Sequence, residues 1–157
     1  MNDSLKTSDR GLKLLTECEG FSSHLYDDAA GYCTIGYGHL VHRGRTGTDP
    51  GREAPFADGV SETRALELLR EDLAIAESVV KRCVQQPLRQ SSFDALVSFV
   101  YNVGEGAFTG STLLRYLNRG QWSLVPAQFH RWTHAGGKVL AGLVKRRRLE
   151  VDMFGGK

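Results

Sequence analysis

Glu19-Gly20-Phe21-Ser22-Ser23-His24-Leu25-Tyr26-Asp27-Asp28-Ala29-Ala30-Gly31-Tyr32-Cys33-Thr34-Ile35-Gly36-Tyr37-Gly38-His39 is the stretch that decides the fold. Before it, Leu5, Leu12 and Leu15 keep helical spacing, with Thr7 or Ser8 as the cap and Asp9 in the first turn. Gly20 stops that helix, so Glu19 sits at its end. From Leu25 the chemistry changes. Tyr26, Tyr32, Thr34, Ile35 and Tyr37 are β-formers broken by glycines. Asp27 to Gly31 reads as a turn between two short strands, and Gly36 to His39 as a further strand that permits close approach.

Beyond this stretch, residues 42–59 are rich in Gly, Arg, Asp and Pro and read as a loop, with a third short strand ending at Gly59-Val60. Ser61 then caps a long helix whose stripe is Leu66, Leu69, Leu73, Ala76, Val80 and Cys83, ended by Pro87. Past Pro87 the chain reads as helix throughout. Ser92 caps a run that is apolar almost all round and therefore central, ending at Gly104-Glu105-Gly106. Ser111 opens a segment closed by Gly120, and another follows Ser123 through Trp132. Residues 133–138 read as a loop and 140–154 as the last helix. The expected fold is α+β and mainly helical. A small N-terminal lobe with a short antiparallel sheet (about 8–60) is joined by the helix of about 61–84 to a helical lobe (about 85–157) in one domain. A cleft between two lobes suits an extended ligand.

Composition is that of an ordinary globular chain, with 41% apolar and 24% charged residues among 157. The net charge of +2 conceals an asymmetry. Residues 1–100 carry 11 basic against 15 acidic side chains, net −4, and residues 101–157 carry 9 against 3, net +6. A basic C-terminal third suits a polyanionic ligand, although a solvated basic face gives the same count. Cys18, Cys33 and Cys83 are odd in number and lack motif spacing, so they read as free thiols, neither a disulfide framework nor a zinc site. Neither a leader peptide nor a membrane anchor is read at the N-terminus.

Glu19 and Asp28 supply two carboxylates, and Thr34 a hydroxyl. Glycosidic cleavage needs an acid for the leaving oxygen and a second carboxylate across the sugar, in different protonation states. Glu19 beside Phe21 is the expected protonated acid, Asp28 in a polar turn the ionised group. Two acids nine apart are common by chance, and spacing leaves Asp27 and Asp28 equivalent.

The surrounding string, Glu-Gly, then Tyr-x-Asp, then Gly-x-x-Thr-x-Gly-x-Gly-His, closely resembles the signature of the phage-type (T4-like) lysozymes, the endolysins of glycoside hydrolase family 24. Gly59-Val60-Ser61, the Phe99 to Gly104 and Ser111 to Leu114 segments, Trp132 and Gly142-Leu143-x-x-Arg-Arg-x-x-Glu150 are also similar. The resemblance implies Glu19 as general acid and Asp28 with Thr34 holding the attacking water, with inversion. It further implies Leu40, Tyr101 and Ser111 as glycan contacts, Asp27 as a surface turn residue, and no metal or organic cofactor. The implied activity is hydrolysis of the β-1,4 bond between N-acetylmuramic acid and N-acetylglucosamine in peptidoglycan, leading to lysis. The implied setting is a monomer made in the cytoplasm of a phage-infected cell that reaches the wall through a holin lesion, with no nucleic acid and no stable membrane association. Rival readings are a lytic transglycosylase, which needs no Asp/Thr water site, a non-catalytic wall-binding module, and a nucleic-acid binder, for which no motif is present. His39 is expected to bond a nearby acid. The Arg146–Arg148 run reads as a solvated helix face, a wall-attracting patch, or the source of a partner for Glu19. The tyrosines of the opening stretch and Trp132 read mainly as packing, with one tyrosine or Trp132 as an alternative cleft residue.

Overall fold

The computed structural model describes residues 1–157. Its contacts define two compact units, residues 19–72 and residues 1–18 with 73–157.

In the 19–72 unit, β1 (Ser22–Asp27), β2 (Cys33–Gly36) and β3 (His39–His42) form an antiparallel sheet in the order β1-β2-β3. Asp27 faces Cys33, Tyr26 faces Thr34, and Thr34 faces Leu40. The ladder shifts register between Ser22 and Tyr26 and again between Cys33 and Thr34. Only β2 is buried along its whole length, as a central strand should be. The third strand lies earlier than expected. Gly36 and Gly38 have φ of 66° and 75°, so the chain turns there and His39 begins a new strand. The Gly59-Val60 strand does not form. Gly59 has φ 86°, a Cβ on it would sit 2.6 Å from the Ser23 carbonyl oxygen, and one bond from Val60 N to Ser23 O (2.8 Å) is all the pairing there. The loop also holds structure that its composition hid: α2 (Pro50–Glu53), capped by Asp49 accepting from Arg52 N, and a turn of 3-10 helix at 54–56.

The helix α3 runs Glu62–Cys83, and Ser61 Oγ accepts from Arg64 N at 3.1 Å as a side-chain cap. The helix α1 runs Asp9–Glu19 and ends at Gly20, φ 71°.

In the other unit, α4 (Gln90–Val103) is buried from Ser92 to Val100, as its all-round apolar sequence requires. It begins two residues before Ser92, whose hydroxyl instead donates to the Phe154 carbonyl (3.2 Å). α5 (Glu105–Thr109) and α8 (Ala141–Phe154) pack against α4, α6 (Thr112–Asn118) packs on α5, and α7 (Val125–Phe129) packs on α6 and α8. α5 lies where the sequence reads as a glycine break. Residues 133–138 are not a simple loop, because β4 (His134–Ala135) and β5 (Lys138–Val139) pair as a small hairpin. Phe99 is the hub of the core, with Phe129, Trp132 and Phe108 rings at 5.2, 5.7 and 6.3 Å.

The basic run of α8 is split, with Lys145 and Arg148 exposed and Arg146 and Arg147 buried. Arg146 is 5% exposed, and Arg147 and Glu150 are 0%. Glu150 accepts from Ser98 Oγ (2.7 Å) and Arg146 Nε (3.2 Å). Arg147 Nε forms an ion pair with Glu150 Oε2 at 2.8 Å, and Arg147 Nη1 has no hydrogen-bond acceptor. Arg147 also donates to Asn102 Oδ1 (2.8 Å) and lies over the Phe99 ring. Burial pushes the Glu150 carboxyl up and the Arg147 guanidinium down, while the two guanidinium charges pull Glu150 back. Removing one member of such a cluster strands buried charge. Glu150→Gln is expected to cost about 3–5 kcal/mol in urea unfolding, and a change within error of zero would show that the cluster is not held together by charge.

Candidate active site

Glu19 is the last residue of α1, partly exposed, and lines a pocket of about 280 Å³ with Gly20, Phe21, Ser22 and Tyr26. The Phe21 and Tyr37 rings stand 5.4 Å apart beside this pocket wall.

Asp28 follows β1 and closes the turn expected for Asp27 to Gly31. Its Oδ1 accepts from Ala30 N (2.8 Å) and Tyr32 N (2.9 Å), while Gly31 N bonds its carbonyl (2.9 Å). Both side-chain bonds fall on one oxygen, so the carboxylate is held in one orientation with Oδ2 directed elsewhere. Thr34, on β2 and 3% exposed, donates its hydroxyl hydrogen to the Tyr32 carbonyl (2.8 Å). With that hydrogen committed, Thr34 Oγ1 can only accept from a further group.

Tyr26 belongs to this group more closely than a packing residue would. It lines the Glu19 pocket and sits opposite Thr34 in the ladder. Its phenol is pushed up, first by burial and then by the negative charges of Glu19 and Asp28. One hydroxyl thus lies in the field of both carboxylates. The sequence signal was its strand position one residue before the Asp27-Asp28 pair.

Leu40 faces Thr34 from β3 and is 43% exposed, so its side chain is available to a ligand. Tyr101 is partly exposed near the end of α4. Ser111 is 3% exposed. It caps α6 by accepting from Leu114 N (3.1 Å) and donating to the Phe108 carbonyl (2.7 Å). Trp132 lines a separate pocket of about 390 Å³ in the helical unit, with Asn102, Val103, His134 and Leu140. His39 Nδ1 is 2.8 Å from Asp72, as expected of a histidine bonded to a nearby acid.

Asp27 is more than a surface turn residue. Its Oδ1 accepts from Thr46 N (2.8 Å) and Thr46 Oγ1 (2.9 Å), and these bonds hold its carboxyl below the usual range. Glu53 on α2 accepts from His42 Nε2 (2.7 Å), Gly47 N (2.9 Å) and Asp49 N (3.3 Å). It is likewise held low, first by the His42 bond. Cys33 Sγ, a His42 ring nitrogen and a Glu53 oxygen lie within 4.8 Å of one another, the donor set of a soft divalent cation. The hydrogen bonds already use His42, however. Its Nδ1 accepts from Gly44 N (3.0 Å) and its Nε2 hydrogen serves Glu53, so no ring lone pair is left for a metal. The cluster works as a hydrogen-bonded clamp on the 43–53 loop.

The phage lysozyme family model matches residues 16–150. An endolysin of Acyrthosiphon pisum secondary endosymbiont phage 1 is 38% identical over 94% of this chain and 96% of its own length. The endolysin of Bacillus phage B103 is 39% identical over 96% of this chain, but the chain spans only 54% of that relative, about half its length. Among solved structures, the muramidase domain of SpmX from Asticaccaulis excentricus superposes with a TM-score of 0.80 at 33% identity, covering 96% of this chain and 97% of its own.

Folded-state pKa values depressed at Asp27 and Glu53 contribute stability that is present above the ordinary carboxylate range and lost as pH falls through and below it. The melting temperature should therefore drop on acidification from about pH 5 to about pH 3. Glu53→Gln should melt lower at neutral pH and show a shallower acid decline. Parallel acid curves for wild type and Glu53→Gln would remove Glu53 from the account.

Proposed function

The chain belongs to the phage lysozyme family, and on that premise we propose that it is an endolysin-type muramidase of the T4-like kind, glycoside hydrolase family 24. It hydrolyses the β-1,4 bond between N-acetylmuramic acid and N-acetylglucosamine in peptidoglycan. The observation that supports this best is that the Tyr26 phenol, opposite Thr34 in the ladder, lies in the field of both the helix-end acid Glu19 and the Asp28 carboxylate locked by its own turn.

In this reading Glu19 protonates the glycosidic oxygen as the bond breaks. The water donates one hydrogen to Thr34 Oγ1, whose own hydrogen is spent on Tyr32, and the other to Asp28 Oδ2, because Oδ1 is spent on two amides. Both water hydrogens are then fixed, and a lone pair points at the anomeric carbon. Asp28 takes the proton as the water attacks from the face opposite the leaving group, with inversion. Leu40 and Tyr101 offer surface to the glycan, and Ser111 shapes the α6 N-terminus. The chemistry needs neither metal nor organic cofactor. The enzyme acts as a monomer on the glycan strands. Made in the cytoplasm of an infected cell, it reaches the wall through a holin lesion and lyses the cell. None of its helices is long and apolar enough to cross a membrane.

Purified peptidoglycan incubated with wild type should lose turbidity and gain reducing ends. Glu19→Gln and Asp28→Asn should each lower that rate by about 10²–10⁴ with melting temperatures near wild type. A Glu19→Gln variant that clears walls as fast as wild type would overturn the assignment.

A further inference from the structure

We propose that Thr46 is a positioning residue for this hydrolysis, and that its hydroxyl braces the strand pair on which Asp28 and Thr34 are mounted. The inference rests on the muramidase reading and extends it to a residue outside the catalytic motif.

Asp27 and Cys33 face each other at the end of the β1-β2 ladder. Asp28 follows the first and Thr34 follows the second, so the Asp27–Cys33 pair is the base of the water site. The ladder around the pair is irregular, although the Asp28 N–Tyr32 O bond (2.9 Å) closes it on the turn side. The register slips between Ser22 and Tyr26 on one side of β2, and between Cys33 and Thr34 on the other.

Thr46, from the loop after β3, touches both members of the pair. Its Oγ1 is 2.9 Å from Asp27 Oδ1 and 3.5 Å from Cys33 Sγ. A hydroxyl has one hydrogen. The ionised carboxylate takes it as the stronger acceptor, and the buried Cys33 thiol then donates weakly to Thr46 Oγ1. The result is a chain from Cys33 through Thr46 to Asp27 that spans the two strands side chain to side chain.

The brace is rigid because the loop is clamped independently. Cys33 N donates to the Gly44 carbonyl (2.8 Å). Gly44 N donates to His42, His42 to Glu53, and Gly47 and Asp49 also donate to Glu53. Thr46 is therefore held in place and does not simply follow the strands. Its effect falls on the separation of Asp28 Oδ2 and Thr34 Oγ1, the two seats of the attacking water. It touches no substrate group, so loss of the hydroxyl should act on the chemical step and leave binding alone.

The test compares Thr46→Val, which keeps shape and the backbone bond to Asp27, with Thr46→Ser, which restores the hydroxyl. Soluble uncross-linked peptidoglycan strands serve as substrate, and amide hydrogen exchange at Cys33 and Asp28 is followed by NMR. Thr46→Val should lower kcat by about 3- to 10-fold at unchanged KM and speed exchange at both amides. Thr46→Ser should return both to wild-type values. Wild-type kcat in Thr46→Val, or a loss that tracks the unfolded fraction and is not rescued by serine, would overturn the proposal. If wild type itself released no reducing ends, the muramidase reading would fall. The brace would then be judged by exchange alone, where unchanged protection of Cys33 in Thr46→Val overturns it.

Discussion

The carboxylate of Asp28 accepts two backbone N–H bonds from the turn that it begins, and much of the site follows from that constraint. The turn fixes where β2 starts. The start of β2 sets the register that places Tyr26 across from Thr34 and Asp27 across from Cys33. The same register brings Leu40 beside Thr34 from the third strand. A side chain that builds the turn it sits on cannot reorient without dismantling the turn, so the group proposed to take the proton is preorganised by local hydrogen bonds. Those bonds orient the carboxylate itself, while its spacing from Thr34 also depends on the strand pair that carries both, and this suits catalysis that depends on fixed geometry.

The two compact units are held by different physics. The helical unit rests on an apolar core around Phe99 and on one buried ionic cluster at Glu150. The sheet is too small for that. Cys33 and Ile35 are its fully buried apolar side chains, and its loop is held by the carboxylates of Asp27 and Glu53, the His42 ring and backbone amides. Sites carried on hydrogen-bonded scaffolds of this kind can be precise, but they depend on the ionisation of the acids that hold them. Asp27 and Glu53 keep their ionised forms through those same bonds.

Local rules made most of the fold legible. Ser61 capping α3, Gly20 ending α1 and the all-round apolar α4 are one-dimensional signals, and each holds. Glu19, Asp28 and Thr34 could be singled out only through the resemblance of the string around them, because spacing alone left Asp27 and Asp28 equivalent. Features that depend on partners distant in sequence were hidden. Arg146 and Arg147 look like solvent-facing charge, because a pattern of residues does not reveal Ser98, Asn102 and Glu150 around them. Residues 42–59 look like bare loop, because the carboxylates that order them, Asp27 and Glu53, act through tertiary bonds. Gly59 looks like strand until the Ser23 carbonyl is found where a Cβ would be. Tyr26 looks like packing until the two acids around it are placed in space.

The central claim is that Asp28 and Thr34 hold a water that attacks the anomeric carbon while Glu19 protonates the leaving oxygen. The configuration of the first reducing end formed from peptidoglycan strands, read by NMR before mutarotation, tests it most directly. An α-configured N-acetylmuramic acid end is the result predicted for single displacement by that water. A β-configured end would require a covalent intermediate, and a 1,6-anhydro end would mean that no water attacks; either would contradict the account.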